Sequence, residues 1–127
     1  MKPSDLVKNN GSEYQHQCAL FSWAALSKQT YPELELLFAI KNEEKSGSAI
    51  VGSRFKASGV KRGVADVFLS VPRNGYHGLY IEMKAEKGKL SKEQIIFGDK
   101  VREQGYGWVC CYSWESAKNI IIQYLTS

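Results

Sequence analysis

Three charged residues lie in or beside two of the most apolar stretches of this chain. Asp66 lies near the start of stretch 64–71, Glu82 lies near the end of stretch 78–83, and Lys84 directly follows that stretch. Buried strands normally exclude charged side chains. Two carboxylates that converge repel each other and need a cation between them, and hard oxygen ligands favour Mg²⁺ or Mn²⁺. A structural ion pair between Lys84 and one carboxylate is the alternative interpretation.

The turn between the two stretches decides whether these charges meet. Residues 72–75 are Pro-Arg-Asn-Gly, and Asn-Gly is the strongest short-range indicator of a hairpin. With the turn centred near Asn74, the numbers of paired residues sum to about 148, which places Asp66 opposite Glu82 to within a residue or so. Lys84 follows Glu82 by two positions, so the pleat points both side chains to one face. The sequence therefore predicts one patch of sheet that carries all three charges.

Such a patch suits the hydrolysis of phosphodiester bonds. Metal ions held by carboxylates supply a nucleophile from water, neutralise phosphate charge and fix an in-line geometry. A lysine beside the metal can exchange a proton with that water. His77 falls in the hairpin turn, where we expect a surface residue rather than a catalytic base. Cationic residues that lead into the patch suit an anionic substrate, although a solvated surface is the alternative; they are Arg54, Lys56, Lys61 and Arg62.

Composition indicates a single globular domain. The chain has 127 residues, of which 43% are hydrophobic and 24% charged, enough for one core. The net charge of +4 permits a nucleic-acid partner without requiring one. No apolar stretch approaches the roughly 18 residues that cross a bilayer, and the N-terminus does not resemble a signal peptide, so we expect a cytoplasmic protein. Three cysteines without metal-ligand spacing are predicted to be reduced core residues; they are Cys18, Cys110 and Cys111.

Capping patterns predict three of the helices. Residues 1–11 are expected to be a loose lead-in, after which Ser12 and Gln15 form a capping box for a helix that ends near Ser27. Its predicted buried stripe is Tyr14, Cys18, Phe21 and Ala25. Ser91 and Gln94 form a second capping box, for a helix that stops at Gly105. Ser113 caps the last helix, with a predicted buried stripe of Ala117, Ile120, Ile121, Tyr124 and Leu125.

The remaining elements are predicted from apolar runs. Residues 34–40 are predicted to form a strand, although the leucines and Glu35 also fit a helical turn. A helix is predicted over 48–57, with Gly59 as a left-handed cap. Residues 106–112 form the last predicted strand. The predicted order is α-β-α-β-β-α-β-α.

Four short motifs occur in a characteristic order. They are Gly63-x-x-Asp66, Ile81-Glu82-x-Lys84, Gly88-Lys89-Leu90-Ser91-x-Glu93-Gln94 and Gly105-Tyr106. Together they resemble the VRR-NUC family, the virus-type replication-repair nucleases of the PD-(D/E)xK superfamily. The resemblance spans at least residues 59–125, and a leading helix with Glu13 fits the usual start of the family. Ala65 stands where the superfamily often has Pro; that Pro ligates nothing, so we expect only a small effect on geometry.

The resemblance implies a fold and a set of site residues. The fold is a PD-(D/E)xK-like α/β domain over 1–127, with a central mixed four-stranded sheet flanked by helices. Asp66, Glu82 and the backbone carbonyl of Met83 would bind the metal, and Lys84 would position or activate the attacking water. Gln94 and Glu13 match the family's helical glutamine and glutamate. The capping box also explains Gln94, and the helix dipole also explains Glu13, so both interpretations stay open.

The resemblance also implies a function. The chain is similar to stand-alone phage and bacterial members, because no accessory domain flanks the nuclease unit. We therefore expect a Mg²⁺- or Mn²⁺-dependent, structure-selective DNA endonuclease in a bacterial cell or phage-infected host. Such members cut four-way junctions as homodimers; Trp23, Trp108 and Trp114 are available for an interface or for the core. We expect the DNA to be bound by six cationic residues, namely Arg54, Lys56, Lys61, Arg62, Lys87 and Lys89.

Several other functions remain as alternatives. One is a repair nuclease that trims flaps or ends. A restriction-type nuclease is another, and the small size of the chain argues weakly against it, because a dedicated base-reading element would be needed besides the catalytic core. A DNA-binding module with a vestigial site is disfavoured, because Asp66, Glu82 and Lys84 are all intact. A structural interaction protein is the last, and it would not cleave DNA in Mn²⁺.

Overall fold

A mixed four-stranded sheet forms the centre of the molecule, as predicted. The computed structural model describes residues 2–41 and 57–127. The strands lie in the order β1-β2-β3-β4, with bounds Leu37–Ala39, Val67–Leu69, Leu79–Met83 and Gly107–Cys111. The pairs β1-β2 and β2-β3 are antiparallel, whereas β3-β4 is parallel. Three α-helices whose full bounds lie within the described residues flank the sheet: α1 is Glu13–Leu26, α2 is Lys92–Glu103 and α3 is Trp114–Thr126.

The two faces of the sheet differ in chemistry because side chains alternate along each strand. One face is fully apolar and packs against α1 and α3; in β2 and β3 it consists of Val67, Leu69, Leu79, Ile81 and Met83, all buried. The other face carries the charged residues and aromatic rings. Helix α2 covers part of this second face, where Gly98 lies so close to Trp108 that a Cβ at residue 98 would lie 2.8 Å from the ring.

The hairpin between β2 and β3 has the predicted turn and the predicted register. Asn74 and Gly75 both have positive φ, 52° and 82°, as a type I′ turn requires. Val67 pairs with Ile81 and Leu69 with Leu79, which confirms the register inferred from the sequence. Between strand and turn, the arm that leaves β2 has three residues, those between Leu69 and Arg73. The arm that enters β3 has two, those between Tyr76 and Leu79. The first arm therefore holds one extra residue, as in a β-bulge.

Both predicted capping boxes are present, but the buried face of α1 was predicted wrongly. Ser12 with Gln15, and Ser91 with Gln94, exchange the reciprocal backbone and side-chain hydrogen bonds of the motif. In α1 the buried residues are His16, Ala19, Leu20 and Ala24, whereas Tyr14 of the predicted stripe is 77% exposed. Small and apolar residues occur all round this helix, so periodicity does not single out one face. The stripe predicted for α3 is confirmed, with Ile120 only partly buried.

Three segments differ from the sequence-based expectations. The strand predicted over 34–40 is confined to β1, because Pro32–Leu36 forms a 3₁₀ helix, the helical alternative for this stretch. Residues 1–11 were expected to be loose, yet Pro3–Leu6 forms a 3₁₀ helix, and Leu6 and Val7 pack against the core. The helix predicted over 48–57 lies outside the described residues except for its last position, and Gly59 has the left-handed φ of +94° expected after it.

Buried His16 joins three parts of the chain. Its Nδ1 accepts a hydrogen bond of 3.0 Å from the backbone N–H of Trp114, the first residue of α3. Its Nε2 lies 2.7 Å from the carbonyl oxygen of Asn10 and donates to it, because Nδ1 is already an acceptor. His16 therefore ties the N-terminal segment to the start of α3 and has a structural role. Within the described ranges, none of the helices has both the length and the apolarity needed to cross a bilayer.

Candidate active site

The hairpin register brings Asp66 and Glu82 together at the end of the charged face. Asp66 directly precedes β2, and its Oδ2 accepts a hydrogen bond of 2.8 Å from the backbone N–H of Met83. The carboxyl group of Glu82 interacts with Asp66 through a side-chain hydrogen bond as well as through charge. Two carboxyl groups from neighbouring strands thus form a direct pair, as the register predicted.

Glu82 is buried to a degree that is unusual for an acidic residue. It is 1% exposed, and among the residues that the structure describes its Oε1 has no hydrogen-bond partner. Burial, followed by the hydrogen bond and charge of Asp66, raises the pKa of Glu82 to about 10; the negative charge of Glu13 adds to this shift and Lys84 opposes it. Without a bound cation, Glu82 therefore carries a proton at neutral pH. Strongly shifted carboxyl groups of this kind concentrate at functional sites.

We expect this proton to make stability depend on pH. The pKa of an unfolded glutamate is about 4.3, so between that value and about 10 the folded protein binds one more proton at Glu82 than the unfolded chain does. The free energy of unfolding must then fall as pH rises through this window. Glu82→Gln, whose amide can donate to Asp66 without titrating, should remove much of this slope. At pH 9 in EDTA we expect the variant to melt higher than wild type by at least about 4 °C, roughly 1 kcal/mol. If the difference in melting temperature between wild type and Glu82→Gln stayed constant from pH 6 to pH 9, this assignment would be wrong.

Lys84 lies nearly buried beside the carboxyl pair. Its side chain is 9% exposed, and its backbone N–H donates to the carbonyl oxygen of Cys111 at 2.9 Å. The loop that follows β3 packs over the lysine methylenes at Gly88, where a Cβ would lie 3.4 Å from Lys84 Cδ. The positive charge of Lys84 acts on Glu82 by lowering its pKa. The structure thus brings all three predicted charges into one cluster.

Glu13 and Gln94 differ in their relation to this cluster. Glu13 is the first residue of α1, and its charge reaches Glu82. Gln94 Oε1 accepts a hydrogen bond of 2.8 Å from the backbone N–H of Ser91, so the capping role is real. Any contact of Gln94 with substrate would have to come from the amide nitrogen. Both residues stay predictions as site residues.

Gly63 fixes the approach of the Asp66 strand to α2. It has a φ of +86°, and a Cβ at residue 63 would overlap the carbonyl oxygen of Glu93 and lie 2.9 Å from the backbone nitrogen of Gln94. The motif Gly63-x-x-Asp66 therefore combines a close backbone contact at the start of α2 with a carboxylate three residues later. This contact explains physically why the motif requires glycine.

We expect Gly63→Ala to be more damaging than Gly59→Ala. Both positions have left-handed φ values, but within residues 2–41 and 57–127 nothing lies within 4 Å of a Cβ at residue 59. Gly59→Ala should therefore cost only the backbone strain, about 1 kcal/mol, whereas Gly63→Ala adds a clash with backbone and should cost about 3 kcal/mol in all. Urea denaturation measures both values. Equal losses would show that the contact with α2 has no energetic weight.

The predicted DNA-binding residues are only partly described. Lys61, Arg62, Lys87 and Lys89 are exposed in the segments that flank Asp66 and Lys84, whereas Arg54 and Lys56 lie outside the described residues. His77 is exposed, as expected, and its ring makes an edge contact with Tyr106 at 5.5 Å.

Cys110 is a neighbour of the site that the sequence analysis missed. All three cysteines are free, but only Cys111 is in the core, so the prediction for the other two was wrong. Cys110 pairs in register with Glu82 and is half-buried. Burial raises the pKa of its thiol, a hydrogen bond with Tyr112 opposes the shift, and the charge of Glu82 adds to it. Adjacent residues of a strand face opposite sides, so the Cys110-Cys111 pair itself indicated that one thiol leaves the core.

The donor set fits a hard divalent cation. Among the residues that the structure describes, no three His, Cys, Asp or Glu side chains form a group that could hold a metal. Asp66 and Glu82 would be two carboxylate ligands, and the unpartnered Oε1 of Glu82 is an oxygen that a cation would satisfy. Mg²⁺ typically uses one or two carboxylates and takes its other ligands from water and substrate phosphate.

Comparison with known proteins identifies the family. The model of the VRR-NUC domain matches residues 4–115. A solved structure described as a VRR-NUC domain protein superposes with a TM-score of 0.75 at 23% identity, over 89% of this chain and 87% of that one. At this identity the likeness shows a common fold, which is consistent with the PD-(D/E)xK-like architecture. No curated protein matches. The family implies a nuclease function on DNA, and this chain belongs to the VRR-NUC family.

Proposed function

We propose that this chain is a Mg²⁺- or Mn²⁺-dependent endodeoxyribonuclease that cuts branched DNA. The observation that carries the proposal is the buried pair of Asp66 and Glu82, with an unpartnered oxygen at Glu82 and a carboxyl pKa raised to about 10. A buried carboxyl without a full set of partners costs stability. A protein that keeps such a destabilising carboxyl group is expected to use it to bind a ligand during function.

Each residue of the cluster has a proposed role. Asp66, Glu82 and the carbonyl of Met83 hold the cation, which when bound supplies Lewis-acid catalysis and a more acidic water. Lys84 lies beside Glu82 and is nearly buried, so its ammonium is oriented before substrate arrives. It positions the attacking water and stabilises the charge that develops on the phosphate. Glu13 adds negative charge near the cation, and Gln94 contacts substrate through its amide nitrogen.

The exposed lysines and arginine beside the site suit the DNA backbone. Lys61 and Arg62 precede the Asp66 strand, and Lys87 and Lys89 follow Lys84. Phosphate contacts of this kind give affinity without reading sequence. They also make binding fall as salt rises.

Branched DNA and a homodimer are the finer parts of the proposal. Symmetric cuts on two strands of a junction require two sites, which a twofold dimer supplies. The interface does not centre on Trp108 and Trp114, because both are buried in the chain itself. Exposed apolar side chains for an interface exist at Leu26, Ile95 and Ile96. Light scattering at micromolar concentration should give roughly twice the 14.3 kDa chain mass.

A panel of end-labelled substrates tests the function. Four-way junctions, flaps, nicked duplex, blunt duplex and single strands are each incubated with the protein in Mg²⁺, Mn²⁺ or EDTA. We expect paired cuts in the junction with either metal and none in EDTA. Trimming of flaps or ends alone would replace the proposal with a repair nuclease. Binding without any cleavage would replace it with a DNA-binding module.

A further inference from the structure

A row of aromatic rings crosses the sheet on the face opposite the core. Phe38 on β1, Phe68 on β2 and Tyr80 on β3 are register partners across three neighbouring strands. Their rings touch in sequence, at centroid distances of 5.7 Å and 4.4 Å. Tyr106, just before β4, extends the row with its ring 5.6 Å from that of Tyr80. We call these four residues the aromatic strip.

The aromatic strip shares its face with the candidate active site. Phe68 is two residues from Asp66, and Tyr80 is two residues from Glu82, so the pleat directs each pair to the same side. Two residues along a strand span about 7 Å, close to the distance between neighbouring phosphates of an extended nucleic-acid strand. Phe97 of α2 packs against Tyr80 at a centroid distance of 5.2 Å. A nucleotide next to the scissile phosphate would therefore lie over the open part of the strip, at Phe68 and Phe38.

The strip is held in place and is open to solvent at one end. The ring of Phe68 lies against Gly78, where a Cβ would be 2.6 Å from Phe68 Cζ, so the ring is pinned over the backbone of the next strand. Phe38, on the edge strand β1, is 47% exposed. The buried core lies on the other face, so Phe38 does not belong to it. A pinned ring loses little entropy when a ligand stacks on it.

We propose that the aromatic strip stacks unpaired bases beside the cleavage site, so that the preferred substrate is DNA with unpaired or easily unpaired nucleotides. This inference rests on the proposed function. Every base has a π face that stacks on aromatic side chains, and in an intact duplex neighbouring bases already cover these faces. Lys61, Arg62, Lys87 and Lys89 supply the cations for the adjoining phosphates. Aromatic rings next to cations are the composition of single-strand binding surfaces.

Binding in EDTA tests the inference without cleavage. The probes are a duplex with a single-stranded arm that carries 2-aminopurine, and a blunt duplex of the same length. We expect Phe38→Ala to weaken binding of the armed probe by about fivefold or more, the equivalent of roughly 1 kcal/mol per stacked base. Affinity for the blunt duplex should change less than about twofold. Wild type should quench 2-aminopurine fluorescence, and Phe38→Ala should quench it less.

Matched variants separate stacking from general packing. Tyr76→Ala is the control, because Tyr76 is 48% exposed and contacts one ring, Tyr124, as Phe38 contacts Phe68; it should leave both affinities unchanged. Phe38→Trp should keep the quenching, and Phe38→Leu should lose it while retaining an apolar side chain. An equal loss for both probes, or none for either, would overturn the inference. Because the assay contains no metal, either result leaves the proposed cleavage activity to be judged separately.

Discussion

Glu82→Gln and Asp66→Asn are each expected to reduce DNA cleavage by at least about 10³-fold, because each removes one of the two carboxylates proposed to hold the cation. Glu82→Gln keeps the shape of a side chain that is 1% exposed, so the fold should survive. Cleavage of labelled junctions in Mg²⁺ measures the loss. Calorimetric titration with Mn²⁺ should show metal affinity falling with it, by at least about tenfold.

The control for these variants is Glu35→Gln. Glu35 is an exposed glutamate on the 3₁₀ helix before β1, so the same chemical change there should leave cleavage within about twofold of wild type. Full activity of Glu82→Gln would eliminate Glu82 as a ligand. Wild-type protein should also release a proton when it binds Mn²⁺ at pH 7, because the pKa of Glu82 near 10 leaves this carboxyl protonated beforehand. Titration in two buffers of different ionisation heat detects that proton.

Lys84→Met should separate catalysis from binding. Methionine retains much of the buried stem that packs at Gly88, and it removes the ammonium beside Glu82. We expect the single-turnover rate to fall by about 10²–10⁴, the range for a lost acid–base or charge-stabilising group. DNA affinity in EDTA should change by less than about threefold. A fall of rate and affinity by the same factor would reduce Lys84 to a phosphate contact.

Lys87→Met gives the opposite pattern and serves as the matched control. Lys87 is exposed and lies in the loop after Lys84. Removing its charge should weaken binding to all DNA forms alike. The slope of the logarithm of the binding constant against the logarithm of salt concentration should become shallower by about one, the equivalent of one phosphate contact. The rate at saturating DNA should stay close to wild type. Comparing the two lysines thus distinguishes a group that acts on the reacting phosphate from one that only holds the backbone.

The amino-acid sequence determined the features that depend on neighbours in the chain. Asn74-Gly75 has the backbone conformation of a type I′ turn, as the sequence predicted, and together with the one extra residue in the first arm it gives the register that joins Asp66 to Glu82. The capping boxes at Ser12 and Ser91 also formed as predicted. The turn and the two capping boxes rest on hydrogen bonds between residues three positions apart, so the local sequence contains nearly all the information for them.

The tertiary structure decided which side chains leave water. Helix α1 has apolar and polar residues on every side, so only its packing against the sheet and α3 selected His16 and Leu20 for burial and left Tyr14 exposed. Strand alternation already indicated that one of the two adjacent cysteines leaves the core, and tertiary packing decided that Cys111 is the one that stays buried. A side chain is buried by contacts with residues that are far away in the chain, so a local sequence pattern does not determine which side chains are buried.

The protonation state of the site was decided in the same way. The sequence indicated that two carboxylates converge, but the pKa of Glu82 depends on how completely it is buried and on charges from Asp66, Lys84 and Glu13, which lie on separate elements. Desolvation and Coulomb energies vary steeply with distance and with exclusion of water. Those distances exist only after strands β2, β3 and β4 and helix α1 have packed together, so the chemistry of the carboxyl pair is a property of the assembled fold.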